Sequence, residues 1–202
     1  MIRHVFAALR RRSRARRYGH LHDVLKLDAQ TGPILDLGGG PASFFAAMFP
    51  RGNQIVLVDI DYAAARRARQ RLPALGVVVA DGERLPFPDG AFAATVCNSV
   101  IEHVDHPGRL AAEIRRVSRT YFVQTPNGRF PLETHSHIAI PFYNWIRWPR
   151  VRRWVCRPFG ASYTYVDSVR YLTEARLQEL FPDAVQASEK VLGMRKSFYI
   201  YR

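Results

Sequence analysis

Hydrophobic and polar positions fall into short apolar runs separated by stretches with a helical period. The runs "PILDL" (33–37), "QIVLVDI" (54–60), "LGVVVA" (75–80), "AATVCNS" (93–99) and "TYFVQTP" (120–126) have the length and β-branched content of buried strands. Between them, "ASFFAAMF", "YAAARRARQRL" and "GRLAAEIRRVS" space their apolar residues as helices do, the second with one arginine-rich face. Strands alternating with helices predict an α/β fold, a parallel sheet with crossover helices. The chain closes on "TEARLQELF", a helix opened by Thr173. After it, "AVQASEKVLG" and "KSFYIYR" form a strand pair able to turn as a hairpin around Gly193.

Two stretches break this rhythm. Residues 1–31 start with Ile2, Val5, Phe6 and Leu9 at the spacing of one helical face, set among arginines. A helix of the folded protein and a cleaved mitochondrial-type presequence share that pattern, whereas the apolar piece "VFAAL" is too short for a secretory signal. A membrane anchor is a third use for the same segment. From Asn127 to Asp167 no period holds, and Trp145, Trp148 and Trp154 are interleaved with arginines. Nowhere does an apolar run approach the ~18 residues of a membrane span.

Composition sharpens this picture in two places. The 202 residues are 48% apolar, enough to build the core of one domain. The formal charge of +13 suggests nucleic acid until it is located. Residues 1–20 hold seven arginines and no acid, and residues 134–166 hold Arg147, Arg150, Arg152, Arg153 and Arg157 and no acid. The remaining 18 basic residues face 17 acids, so the body of the protein is nearly neutral. Cys97 and Cys156 form no CxxC, which fits a reducing, cytoplasmic compartment and not a disulfide scaffold or zinc site.

Candidate chemistry centres on "ILDLGGGPASFF" (34–45), a strand, three glycines and a helix start. Such a turn brings backbone close to a ligand. Asp36, just before the glycines, would repel a pyrophosphate but attract an ammonium group, and Ser43 stands where a dinucleotide loop has its third glycine. Asp59 ends the next strand, where a carboxylate can accept both hydroxyls of a ribose. A ligand with a ribose, an amine and no phosphate satisfies all three, and S-adenosylmethionine is one.

With "LVDID" and "VADGERLPFPDGAFAATVCNSVIEHVDHPGRLAAEIRRVSRTYFVQTPN", this order of motifs resembles the class I S-adenosylmethionine-dependent methyltransferases over roughly residues 32–127. Within that class it is similar to the group with an LPF loop and an LEHV-type segment. The resemblance implies a Rossmann-like, doubly wound, mostly parallel seven-stranded sheet with a C-terminal antiparallel strand. Taken with the two stretches that break the pattern, the chain reads as a single domain of residues 1–202 in four parts. These are a basic helical extension (1–31), a cofactor-binding core (32–126), a substrate lid or interfacial insertion (127–168), and a closing helix and strands (169–202). Asp36, Gly38 and Gly40 would hold the methionine end of the cofactor, Asp59 its ribose, and Ile60 its adenine. Asp81, with Gly82 beside it, would accept the adenine amino group, and Asn98 would lie under the reacting methyl. Asp61 reads as an ordinary helix cap.

Methyl transfer is an in-line displacement, and an oxygen acceptor also needs a base or a metal to take its proton. His103, Glu102 and His135 are the expected catalytic residues. His137 is the alternative to His135, and His4, His20 and His22 are expected to be solvated. Glu102, His103 and one of His135 or His137 could also ligate a divalent ion, as in small-RNA 2′-O-methyltransferases, but Ser99 replaces a further expected acid, and no metal is assigned. The expected function is O-methylation of a small-molecule or lipid-linked acceptor, with peripheral contact to an anionic membrane. RNA methylation and non-catalytic cofactor binding remain alternatives.

Overall fold

A computed structural model of the chain describes residues 2–49, 54–131, 141–157 and 169–202. Five strands pair in parallel: β1 (Ile34–Leu37), β2 (Ile55–Asp59), β3 (Gly76–Val79), β4 (Phe92–Asn98) and β5 (Ser118–Pro126). β6 (Val185–Val191) and β7 (Met194–Tyr201) complete a seven-stranded sheet in the order β3-β2-β1-β4-β5-β7-β6. β7 alone is reversed, because it pairs antiparallel with both β5 and β6. The expected hairpin is present: Leu192 and Gly193 both take positive φ, 50° and 78°, the twist a tight two-residue turn demands.

Helices cover both faces, as sheet strands buried on two sides require. On one face, α1 (Ile2–Val24), α2 (Phe44–Met48) and α3 (Tyr62–Arg71) bury Leu21, Phe45 and Ala68 against Ile34, Leu57 and Phe122. On the other, α4 (Pro107–Val117) and α6 (Glu174–Leu180) bury Leu110, Ile114 and Leu177 against Leu35 and Val123. Local chemistry starts these helices where the sequence indicated. Asp61 accepts from the Ala63 N–H at the head of α3, Thr173 accepts from the Arg176 N–H at the head of α6, and Pro107 opens α4.

Two expectations change. His20 is not solvated: it stacks on Tyr199 at 5.3 Å and meets Phe122 edge-on at 6.0 Å, because the second half of α1 is a packed element of the core. The aperiodic segment also holds a helix, α5 (Pro149–Cys156). It is only eight residues long, too short for its period to stand out in an aperiodic stretch; within it Arg152 is half-buried while Arg150 and Arg153 are exposed.

Candidate active site

The strand register brings the candidate residues to one edge. Leu37 lies opposite Val58 and Cys97, and Asn98 lies opposite Gln124, so the C-terminal ends of β1, β2, β4 and β5 finish together. The chain winds outward in both directions from the β1–β4 pair, the switch point where open α/β sheets bind ligands. A cavity of about 220 Å³ opens there, and Gly38, Asp59, Ile60, Asp81, Gly82 and His103 all line it.

Asp59 ties the glycine turn to β2. Its carboxylate accepts from the Gly40 N–H at 2.9 Å and from the Asp61 N–H at 2.9 Å. Each oxygen keeps a second lone pair for a ligand hydroxyl. Asp81 accepts from the Glu83 N–H at 2.9 Å, which fixes its carboxylate at the end of the loop after β3. Ile60 lies exposed at the rim, and Leu37, Val58, Val100 and Leu110 supply an apolar wall. Carboxylates at two strand ends beside that wall suit a nucleoside, its hydroxyls and amine toward Asp59 and Asp81 and its ring toward the apolar side. Gly38 has φ 69°, and a Cβ there would stand 2.4 Å from Val100, so this turn has no room for a side chain.

Asp36 lies beneath the turn and does not line the cavity. It is 3% exposed, accepts from the Ser43 hydroxyl, and leaves only 2.5 Å between its Oδ2 and a Cβ placed on Gly39. Ser43 also accepts from the Ala46 N–H at 2.9 Å, so one hydroxyl links Asp36 to the start of α2. That is the physical reason for a serine at the third-glycine position. Burial pushes the Asp36 carboxyl up to about 7, against the hydrogen bond from Ser43 and with help from the charge of Asp59. A carboxyl raised in the folded state holds its proton longer there, so stability falls as pH rises from the ordinary carboxylate range through about 7. Urea midpoints measured from pH 4 to 8 should decline through that window, and Asp36→Asn should flatten the decline.

His103 sits in the cavity wall, half-buried, and burial holds its imidazole below the ordinary histidine pKa. Glu102 turns the other way. It is fully buried and accepts from the Thr125 hydroxyl at 2.9 Å, and its carbonyl accepts from the Arg170 N–H at 2.8 Å. His135 and His137 lie outside the described residues. Among the described residues no group of three His, Cys, Asp or Glu side chains is arranged to hold a metal ion.

Asn98 stands at the end of β4, held by a residue that the sequence gave no reason to select. Arg17 of α1 donates to Asn98 Oδ1 at 2.9 Å, to Gln124 Oε1 at 3.1 Å and to Glu189 Oε2 at 3.2 Å. Glu189 on β6 also accepts from Ser13, from Lys196 at 3.2 Å, from Ser197 at 2.9 Å and from Tyr199 at 3.2 Å. Burial alone would raise the Glu189 carboxyl. The Ser13 and Ser197 hydroxyls and the charges of Arg17 and Lys196 outweigh it and hold the pKa down at about 2. Ser99, the next residue, lines the edge cavity with a left-handed φ of 59° and donates to Gln124 at 2.7 Å.

A second cavity, of about 690 Å³, lies past the end of β5 between α5 and the segment leading into α6, with Asn127, Asn144, Arg152, Tyr171 and Phe198 among its walls. Val169 and Tyr171 in its lining flank Arg170, whose backbone holds Glu102. The 99–105 loop, which lines the first cavity, is thus tied by one backbone hydrogen bond to the segment that lines the second.

The fold is an open α/β sheet with a cavity at its switch-point edge, and comparison with known proteins gives it a family. Residues 35–121 match the family described as methyltransferase domain. An uncharacterized methyltransferase of Mycolicibacterium gilvum is 41% identical over 90 residues, 43% of this chain and 34% of that one. A ubiquinone/menaquinone biosynthesis C-methyltransferase of Bordetella avium is 30% identical over 151 residues, 68% of this chain and 56% of that one. The chain thus spans between a third and just over half the length of these curated relatives. The fold is that of a Pyrococcus horikoshii protein, at TM-score 0.63 and 18% identity over 93% of this chain and 89% of that one. It is also that of geranyl diphosphate C-methyltransferase from Streptomyces coelicolor, solved with S-adenosyl-L-homocysteine, at TM-score 0.59 and 15% identity over 93% and 77%. The chain carries a class I S-adenosylmethionine-dependent methyltransferase domain.

If Asp59 holds the cofactor ribose, Asp59→Ala should weaken S-adenosylmethionine binding by ~1–3 kcal/mol, the cost of losing a charged hydrogen-bond partner. Isothermal titration checks this, and unchanged affinity removes Asp59 from the site.

Proposed function

We propose that the protein transfers the methyl group of S-adenosylmethionine to a small-molecule or lipid-linked acceptor. The observation that carries this is a half-buried histidine of lowered pKa in the same cavity wall as Asp59 and Asp81. Asp59 would take the ribose hydroxyls, Asp81 the adenine amine and Ile60 the ring face, while the ionised part of Asp36 would act on the amine through its field. When bound, the cofactor supplies an electrophilic methyl on a sulfonium. Asn98 and Gln124, fixed by Arg17, would border the path of that methyl. His103, neutral at pH 7, would take the proton that the acceptor gives up as its new bond forms. Glu102 is better suited to steadying the 99–105 loop than to chemistry, since its carboxylate faces Thr125.

Oxygen was the acceptor atom expected from the sequence. Similarity over 68% of this chain to a relative named as a C-methyltransferase supports carbon instead. The base then removes the proton displaced from that carbon or from an adjacent hydroxyl.

The exposed face around α5 supports peripheral contact with an anionic membrane. Trp145, Trp148 and Trp154 are exposed, and Arg147, Arg150, Arg153 and Arg157 are exposed among them, with no acid from residue 141 to 157. At 100° per residue, Trp148, Val151 and Trp154 share one side of the helix and Arg150, Arg153 and Arg157 the next. Aromatics at the acyl boundary with arginines at headgroups is the interfacial arrangement. No described helix is long and apolar enough to cross a membrane.

The test is incubation with radiolabelled S-adenosylmethionine and a lysate separated into lipid, metabolite and RNA fractions. Label in the lipid or metabolite fraction, lost in His103→Ala, is the expected result. Label in RNA overturns the acceptor class, and cofactor binding with no labelled fraction overturns catalysis. In the same preparation, partition to phosphatidylglycerol vesicles should exceed that to phosphatidylcholine vesicles and fall when Trp148 and Trp154 become alanine.

A further inference from the structure

The turn that carries His103 is held by residues of two distant segments. Glu83 stands two residues past Asp81. Its N–H donates to the Asp81 carboxylate at 2.9 Å, and its own carboxylate accepts from the His106 N–H at 2.8 Å. Arg170, from the segment leading into α6, makes three bonds to the same turn. Its backbone N–H donates to the Glu102 carbonyl at 2.8 Å, its Nη1 to the Asp105 carbonyl at 3.0 Å and its Nη2 to the Asp105 carboxylate at 2.9 Å. These contacts fall just before and just after His103 and Val104, and both of those residues line the edge cavity. Inside the bracket, the His103 N–H closes a turn onto the Val100 carbonyl at 2.8 Å.

Arg170 can act as an anchor because its neighbours are themselves held. Val169 is buried, and the Tyr171 ring packs so tightly on Gly128 that a Cβ there would lie 2.5 Å from it. The Tyr171 hydroxyl also accepts from Asn144 at 3.1 Å. A guanidinium presents its donors in a rigid planar fork, so two bonds to Asp105 set direction as well as distance. The side chains of Arg170 and Asp105 are 61% and 77% exposed. An ion pair so open to water adds little to stability, so what this one contributes is placement.

We propose that Arg170 is a positioning residue for methyl transfer: by holding the chain on both sides of His103, at Glu102 and at Asp105, it fixes where the imidazole stands in the edge cavity. The proposal rests on the reading of His103 as the base. A base must lie within hydrogen-bond reach of the proton it takes, and a misplacement of about 1 Å can cost on the order of a hundredfold in rate. Without the guanidinium, the turn keeps its ties at Glu102 and His106 but loses the one at Asp105, and water reaches the imidazole more freely.

The experiment compares Arg170→Ala, the double variant Arg170→Ala with Asp105→Ala, and Arg176→Ala. The last breaks an equally exposed ion pair, with Glu179, on α6. The charged groups near His103 are Asp59 and Asp81 in the cavity wall, Glu102 and Asp105 on its own turn, and Glu83 and Arg170 from the segments bonded to that turn. The double variant removes one charge of each sign, so it tests placement without a change in net charge. The imidazole of His103 is titrated by NMR in the full chain saturated with S-adenosylhomocysteine, its signal assigned by its loss in His103→Gln. Its pKa should lie below 6.5 in the unmodified protein and in Arg176→Ala, and should rise toward 6.5 in both the single and the double Arg170 variants. Transfer from radiolabelled S-adenosylmethionine to the lysate fraction that takes label should fall about tenfold or more in those two variants, with cofactor affinity within twofold and the urea midpoint unchanged. A pKa unmoved in both, a rise confined to the single variant, or an equal loss of rate in Arg176→Ala overturns the proposal. A pKa that rises in both while transfer continues at the original rate upholds the placement of His103 by Arg170 and refutes the earlier reading of His103 as the base.

Discussion

Replacing His103 by alanine should lower turnover by about 10²–10⁴-fold, the usual contribution of a positioned general base, while S-adenosylmethionine binds within a few-fold of its original affinity. The split follows from position. His103 shares the cavity wall with Asp59 and Asp81 but is one of many groups lining it, so its loss removes little contact area. Its imidazole is held below the ordinary histidine pKa by burial, which keeps it unprotonated and able to accept a proton at neutral pH. Turnover of the unmodified protein should therefore fall on acidification with a midpoint below 6.5, as protonation removes the base. The alanine variant should lack that limb altogether. A profile with the same acidic limb in both proteins would assign the limb to another group and remove His103 from catalysis.

Glu189→Ala should destabilise the protein by roughly 3–5 kcal/mol, the cost of breaking a buried ion pair from one side. Both partners are well covered, with side chains 12% and 10% exposed for Arg17 and Glu189. Without the carboxylate, Arg17 and Lys196 are left close together with only neutral acceptors. Glu189→Gln keeps the shape and some of the hydrogen bonds, so it should cost less. The charge also sets a pH dependence. A carboxyl held at about 2 in the folded state and near the ordinary value when unfolded contributes its full stability above the unfolded pKa, and loses it as pH falls toward 2. Below pH 4, where Asp36 is protonated in both states, denaturation midpoints down to pH 2.5 should drop steeply in the unmodified protein and less in Glu189→Ala. Equal slopes would mean that the cluster carries no net stabilisation.

The strands and the residues that gather at the edge cavity were legible because their signals are local. A run such as "QIVLVDI" encodes burial by its own side chains, and Asp59 is marked by standing at the run's end. Thr173 and Asp61 were readable for the same reason, since a cap is decided within three residues. Arg17 was not readable, because its partners Asn98 and Glu189 lie 81 and 172 residues away and only the sheet order brings them together. α5 was hidden by its length: eight residues give little more than two turns, too few for the segregation of its apolar and arginine sides to show within an aperiodic stretch. Asp36 was identified as important but was given the wrong kind of surroundings. An acid before a glycine turn looks the same in sequence whether it faces a ligand or, as here, a serine below the turn. Ser99, seen only as a missing metal ligand, has a left-handed backbone that no pattern of hydrophobicity reveals.

The reversed strand β7 has a consequence for synthesis. It wedges between β5 and β6, so a strand made after both of them occupies an interior lane of the sheet and not its margin. Until β7 is made, β5 has no neighbour on one side, and Arg17 must wait for Glu189, 172 residues on, before it meets a carboxylate. The nascent chain can assemble β1 to β4 well before that half of the sheet closes. Joining segments across so great a sequence separation is an entropically slow event. Loss of the β6–β7 hairpin would leave β1 to β4 paired and Arg17 of α1 unlatched.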